Sequence, residues 1–400
     1  MLKIGQAEVD AATRVIKSGA LFRYGEPPNG QQSECEKFEQ ELAAKMGVEH
    51  ALVVTSGTAA LMCALVGLGV GPGDEVIVPA YTFVSSALAP LAVGAIPVIA
   101  EVDESLTLDP VDVQSKITGK TKVIMPVHMV GLPANMSALT HLARRHGVAI
   151  LEDACQADGG FYSGRRLGSI GDVGVYSFNY FKNITCGEGG ALVTNNDQIF
   201  ERAFIYHDGG AVVRSHGQSF ATPFFAGCNF RMNEILAAIL RVQLRRVDHL
   251  LVRNRSHKRR LMSALAKEPS LRFMRHNDLN GECATVLGLQ FDDEPAARRF
   301  ESVLQLYEID AWLPIDSGRH VYTNWEPIMQ KRGAFHPALD AFRLRENRST
   351  QMRYSAKMCP HTLDLLARTV YLNISPEWKT IDVQKQIDVC RQAAAEIAAG

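Results

Sequence analysis

Ala51-Leu-Val-Val-Thr55-Ser-Gly-Thr58-Ala-Ala-Leu61 is the stretch from which the fold can be read. An apolar, partly β-branched run meets a Ser-Gly-Thr turn and passes at once into a helix-forming segment. That strand–turn–helix unit builds parallel sheets wrapped by helices. It recurs outward along the chain, with strands predicted at 51–55, 75–79, 96–102, 122–128, 148–153, 173–178 and 190–195. Helices are predicted between them at 57–69, 83–93, 109–117, 136–146 and 197–206, several opened by plausible caps such as Thr58 or Asp109-Pro110. The expected class is α/β, a large domain around a mostly parallel seven-stranded sheet, with its chemistry at the carboxyl ends of the strands.

Beyond the sheet, a helical block from Asn233 to Leu265 carries Arg241, Arg245, Arg246, Arg253, Arg255, Lys258, Arg259 and Arg260, and reads as the bridge out of the large domain. After about residue 268 the pattern changes to runs such as Ala284-Thr-Val-Leu-Gly-Leu-Gln-Phe291 and to helices at 294–306 and 382–398. The chain is therefore divided into a large domain, 1–250, and a smaller α+β C-terminal domain, 251–400. Residues 317–360, rich in Arg, His and aromatics without clear periodicity, read as a long excursion of the kind that usually carries function.

The 42 Lys and Arg against 43 Asp and Glu leave a net charge of −1, so no global field draws the chain to nucleic acid or an anionic membrane. With 46% hydrophobic and 21% charged residues the chain reads as globular, not disordered. Eight cysteines without a C-x-x-C pair read as free thiols of a reducing compartment. The opening lacks a signal-peptide pattern, and Ala87 to Ala100, the longest apolar stretch, is cut by Pro90, Gly94 and Pro97. The expected location is the cytoplasm.

Three strand ends hold candidate chemistry. Ser56-Gly57-Thr58 opens a helix, where free N–H groups and the helix dipole make an anion seat. Val148-Ala-Ile-Leu-Glu152-Asp153 ends in two carboxylates, which strand alternation sends to opposite faces. Tyr176-Ser-Phe-Asn-Tyr-Phe-Lys182 is followed by three glycines within four residues, and a lysine among apolar neighbours loses hydration of its cation and becomes a nucleophile toward carbonyls. Each alone also suits a plain cap, a solvated strand end or a surface lysine. Together they match the needs of pyridoxal phosphate: a Schiff-base amine, a partner for the pyridine nitrogen and a phosphate cradle. Gly67-Leu-Gly-Val-Gly-Pro-Gly73 follows a helix and has Pro72 where a dinucleotide fingerprint needs glycine, so it reads as a turn.

Ser56-Gly-Thr-Ala-Ala-Leu61, Glu152-Asp-Ala-Cys-Gln156, Gly171-Asp-Val-Gly-Val-Tyr-Ser-Phe178, Lys182-Asn-Ile-Thr-Cys-Gly-Glu-Gly-Gly190 and Gly227-Cys-Asn-Phe-Arg-Met232 resemble the signature blocks of the DegT/DnrJ/EryC1/StrS sugar aminotransferases. The resemblance runs from the N-terminus to about residue 250. It implies the fold type I of pyridoxal-phosphate-dependent transferases, with Lys182 as Schiff-base lysine and proton shuttle, Asp153 on the pyridine nitrogen and Gln156 near the phenolic oxygen. It further implies that Gly57, Thr58 and Ser177 hold the phosphate, that Phe83 stacks on the ring, and that Asn229 reaches the phosphate of a neighbouring subunit in a homodimer with shared sites. Members with histidine in place of the lysine are sugar dehydratases, and Lys182 speaks against that branch. The implied reaction is ping-pong transfer of an amine from L-glutamate or glutamine to a keto or aldehydo sugar.

His320 falls where the family often has a Pro-Leu-His-Leu-Gln-type substrate loop, but its flanks, Arg319 and Thr323-Asn-Trp325, depart from that pattern. Arg319 and His320 are read as substrate-binding, with Arg319 suited to a carboxylate or phosphate. The arrangement resembles the branch that aminates the terminal carbon of an octulosonic acid, 3,8-dideoxy-8-oxo-manno-octulosonate being the expected acceptor and a nucleotide-linked keto sugar the alternative. No metal is expected. His128 reads as a core histidine, and Cys155 and Cys186 as packing. A rival class, a nucleic-acid-binding regulator on the same fold, rests on the basic run from Arg241 to Arg260, which otherwise suits a solvated helix face.

Overall fold

The computed structural model describes residues 4–24, 33–210, 220–350 and 352–399. All seven expected strands form one sheet: β1 (His50–Val54), β2 (Glu75–Pro79), β3 (Ile96–Ala100), β4 (Thr121–Ile124), β5 (Ala149–Asp153), β6 (Val173–Ser177) and β7 (Gly190–Thr194). Their order is β1-β7-β6-β5-β4-β2-β3, and only β7 runs against its neighbours. The reversal follows from the connection: no crossover helix separates β6 from β7, so the chain turns back across the sheet edge. Lys182 rides on that connection.

Helices α1 (Gln6–Ser18), α2 (Glu34–Met46), α3 (Gly57–Gly67), α4 (Ser85–Ala92), α5 (Pro110–Lys116), α6 (Met136–His146) and α7 (Asp197–His207) surround the sheet. The strands are buried along nearly their whole length, as a sheet covered on both faces requires. Residues 68–73 form the expected turn after α3, with Gly67 still in the helix. Two strands end two or more residues earlier than expected, at Ala100 instead of 102 and Ile124 instead of 128; past those points single bridges, Val102 to Leu108 and Val127 to Asp153, replace continuous pairing. Thr58 is not the cap of α3: Ser56 Oγ accepts from Ala59 N at 3.1 Å. Asp109 caps α5 as expected, with Pro110 in the first turn.

The basic block is two helices, α8 (Glu234–Leu244) and α9 (Val247–Leu265), broken at Arg245-Arg246. α9 serves two cores. Val247, Leu250 and Leu251 pack under the large sheet, while Leu261 and Leu265 enter the core of the small one. The latter is antiparallel, β8 (Arg272–Phe273), β9 (Val286–Gln290), β10 (Ala311–Trp312) and β11 (Thr369–Asn373) in the order β8-β9-β11-β10. It packs with α10 (Glu294–Leu306) and the C-terminal helix Thr380–Ala399.

In the excursion a string of short helical turns runs over 318–347, and it packs back against α3 and the seven-stranded sheet. Tyr322, Trp325, Ile328, Ala341 and Cys359 join the core containing α3 and the sheet. Tyr322 N donates to Ala80 O at 3.0 Å, pinning the excursion beside the end of β2.

Candidate active site

A cavity of about 500 Å³ opens at the carboxyl ends of β1, β2, β5 and β6. Its walls include Gly57, Thr58, Phe83, Asp153, Gln156, Ser177, Lys182 and His320, so eight residues picked out by sequence converge on one space. Asp153 is 4% exposed; its Oδ2 accepts from Ser86 Oγ at 2.7 Å and its Oδ1 from Cys155 N at 3.1 Å. Glu152 turns to the opposite face, as strand alternation demands. There it accepts from His128 Nε2 (3.1 Å) and from the N–H groups of Gly168 (2.8 Å), Ile170 and Gly171 (2.6 Å). His128 is thus a satisfied core histidine, its Nδ1 accepting from Ala134 N.

At the start of α3 the N–H groups of Gly57 and Thr58 have no intrahelical acceptor, while those of Ala59 and Ala60 are taken by Ser56. A Cβ on Gly57 would stand 2.9 Å from Ser177 Cβ, and one on Gly190 only 2.4 Å from the Ser56 carbonyl carbon. Glycine is required at both for the three strand ends to close into a cradle. Thr58 Oγ1 donates to Ser85 Oγ at 2.9 Å, tying the cradle to α4.

Gln156 Oε1 accepts from Val130 N at 3.0 Å, leaving its amide NH₂ as the free donor. His320 Nδ1 lies 3.0 Å from Ser317 O, which places the proton on Nδ1 and leaves Nε2 as an acceptor. Burial holds this imidazole below its usual pKa, and the Lys182 charge adds to the effect. The Phe83 and His320 rings meet at 5.4 Å. A second space of about 270 Å³, lined by Trp312, Thr285, Val286 and Asn373 in and beside the four-stranded sheet, adjoins the first through Gln156, Phe181, Lys182 and His320.

Several expectations change. Lys182 is half-buried, but Phe181 beside it is 79% exposed and Tyr180 is exposed too, so the aromatics do not enclose the amine. Arg319 is exposed and outside both cavities; what it contributes is its carbonyl, which accepts from Trp325 Nε1 at 2.8 Å and Val84 N at 3.1 Å. Asn229 is exposed, with Oδ1 accepting from Arg231 N. Cys155 lines the cavity, its thiol pushed well above the usual range by burial. Asp158 escaped notice in the sequence: 2% exposed, with neither carboxylate oxygen hydrogen-bonded to a protein group, it lies within electrostatic reach of Lys182, and burial raises its pKa well above the ordinary value. Its only sequence signal is a carboxylate five residues past Asp153.

An amine, a buried carboxylate and a helix N-terminus around one cavity, on this sheet order, define a fold type I pyridoxal-phosphate-dependent transferase. The sequence matches the DegT/DnrJ/EryC1/StrS aminotransferase family over residues 3–294, and the chain belongs to that family. It is 43% identical over 269 residues to a dTDP-3-amino-3,4,6-trideoxy-alpha-D-glucose transaminase of Streptomyces venezuelae, covering 66% of this chain and 67% of the relative. It is 31% identical to the spore coat polysaccharide biosynthesis protein SpsC of Bacillus subtilis, covering 97% and 94% of the two chains. Two other curated relatives are matched over 61% and 63% of their own lengths. Among solved structures, a 3-amino-5-hydroxybenzoic acid synthase superposes with a TM-score of 0.78 at 30% identity, covering 98% of this chain and 97% of that one.

Proposed function

We propose that this protein transfers an amino group from L-glutamate or L-glutamine to the carbonyl of a keto or aldehydo sugar. The observation that carries the reading is the convergence of Lys182, Asp153 and the free N–H groups at the start of α3 on one cavity. When bound, pyridoxal phosphate supplies an aldehyde that links to amines and a ring that withdraws electrons from the adjoining carbon. Lys182 would supply the linking amine and is the base placed to move a proton at the substrate carbon, a role worth about 10²–10⁴ in rate. Asp153 would pair with the ring nitrogen, Gly57, Thr58 and Ser177 would hold the phosphate, Gln156 would donate to the phenolic oxygen, and Phe83 would cover the ring face.

On the acceptor side, His320 Nε2 would accept a hydrogen bond from a hydroxyl, and the adjoining space admits the rest of the sugar. Lys182 is the one Lys or Arg among the described lining residues, which favours an acceptor held by its hydroxyls at the reacting end. The octulosonate reading keeps His320 but loses Arg319 as a cavity residue. Asn229, exposed on this chain, completes the phosphate seat of a partner subunit in a homodimer.

The test is direct. Purified protein is expected to be yellow, to bleach with L-glutamate, and to yield a borohydride-reduced adduct on Lys182; an adduct on another side chain, or none, overturns the reading. A panel of keto sugars offered to the glutamate-treated enzyme then identifies the acceptor, and preference for nucleotide-linked sugars excludes the octulosonate.

A further inference from the structure

We propose that Thr82 and Ser86 form a directed hydroxyl relay that orients the Asp153 carboxylate toward the cofactor's ring nitrogen, and are positioning residues of this site. The inference rests on Asp153 being the partner of that nitrogen.

Ser86 Oγ lies 2.7 Å from Asp153 Oδ2, and Thr82 Oγ1 lies 2.8 Å from Ser86 Oγ. Thr82 and Ser86 are each 1% exposed. Distance alone does not say which hydroxyl donates in the second contact, but counting protons does. An ionised carboxylate only accepts, so Ser86 spends its single proton on Asp153, and the proton between the two hydroxyls must come from Thr82. The relay therefore runs from Thr82 to Ser86 to Asp153. Running it backward would end on the Phe83 carbonyl, 3.5 Å from Thr82 Oγ1 and already accepting from Ser86 N at 3.1 Å. That distance lies outside the usual range for an O–H donor, and the carbonyl's better-placed partner is the amide. The geometry thus presents donors to Asp153 in one direction, and chains of this kind strengthen each link.

With Oδ2 taken by Ser86 and Oδ1 by Cys155 N, the carboxylate is held from two sides while one edge stays open to the cavity. The relay is itself anchored. Thr82 N donates to His320 O at 2.9 Å and Val84 N to Arg319 O at 3.1 Å, so the substrate loop braces the segment that carries both hydroxyls and Phe83.

The test compares Ser86→Ala, Thr82→Val, Thr82→Ser and Asp153→Asn in the holoenzyme, reading the pyridoxal phosphate Kd, the absorption maximum of the bound cofactor and Tm. Ser86→Ala is expected to raise Kd about tenfold, the effect of losing a charge-assisted hydrogen bond, and to shift the absorption band in the direction of Asp153→Asn. Thr82→Val should do the same to a smaller extent, and Thr82→Ser should restore native values, which a merely structural role would not predict. If Asp153→Asn moves Kd and the band while Ser86→Ala and Thr82→Val move only Tm, the relay is overturned. If Asp153→Asn moves neither, the reading of Asp153 itself fails, and the relay with it. Should Ser86→Ala not fold, the contrast between Thr82→Val and Thr82→Ser decides.

Discussion

At the scale of single residues, Asp158 offers a sharp test because its environment opposes its charge. Folding raises the proton affinity of this carboxyl, so above the ordinary aspartate pKa of about 3.9 the unfolded chain is ionised while the folded one keeps the proton. Stability must then fall as pH rises through that window, and below it the two states bind the proton alike. Asp158→Asn is expected to remove this loss, raising stability near pH 7 and leaving it little changed below pH 4. Thermal melts of both proteins across that range check the sign, and a variant less stable at pH 7 would refute it. Lys182→Ala should abolish both the yellow colour and bleaching by glutamate while leaving the far-UV circular dichroism intact, since the lysine sits on a connection and not in a core.

At the scale of elements, close approaches decide what the chain tolerates. β7 begins against the turn after β1, and Gly190→Ala would drive a methyl into the Ser56 backbone. Because backbone cannot yield as a side chain can, the variant should lose both stability and cofactor affinity, read together by Tm and a pyridoxal phosphate titration. The turns at 314–347 act on the site through Trp325, fully buried and bonded to the Arg319 carbonyl. Trp325→Ala is expected to cost about 3–5 kcal/mol in urea unfolding. It should also raise the acceptor KM more than the donor KM, because His320 sits on the loop it anchors.

Across the whole molecule, the basic run that suggested a nucleic-acid partner is largely answered from within. Arg241 pairs with Glu34 and Glu41, Arg245 with Glu41, Arg246 with Glu8 and Lys258 with Glu282. Arg255 donates to the carbonyls of Gly281 and Glu282. Helices α8 and α9 therefore fasten the N-terminal helices and the 276–283 loop. No shift of DNA is expected in a gel at physiological salt. Among the described residues no helix is long and apolar enough to cross a membrane. For the proposed dimer, mixing inactive Lys182→Ala with Asn229→Ala and refolding together should restore about a quarter of the active sites, on binomial mixing of equal amounts of two chains whose residues meet across an interface. Complete absence of recovery would place Asn229 outside the partner's site.

The seven-stranded sheet and its helices were legible because they follow from local pattern: apolar runs of strand length, helical periodicity, and turns opened by Ser-Gly-Thr or Asp-Pro. Asp153 and Lys182 could be picked out as candidates because one ends a strand and the other follows the end of another, while the roles of Gly57, Thr58, Phe83, Gln156 and Ser177 came from the family resemblance; the structure sets all of them around one cavity. What the sequence could not determine depended on contacts between distant segments. Nothing local to Arg319 indicates that its side chain faces solvent while its carbonyl holds Trp325. Nothing near Asp158 shows it buried within electrostatic reach of Lys182, or reveals that Ser86, with Thr82 behind it, would reach Asp153 from 67 residues away along the chain. Strand and helix identity arise from short-range periodicity that any window of sequence displays, whereas burial, hydrogen-bond direction and the reach of a charge exist only once the sheet has brought remote chain together.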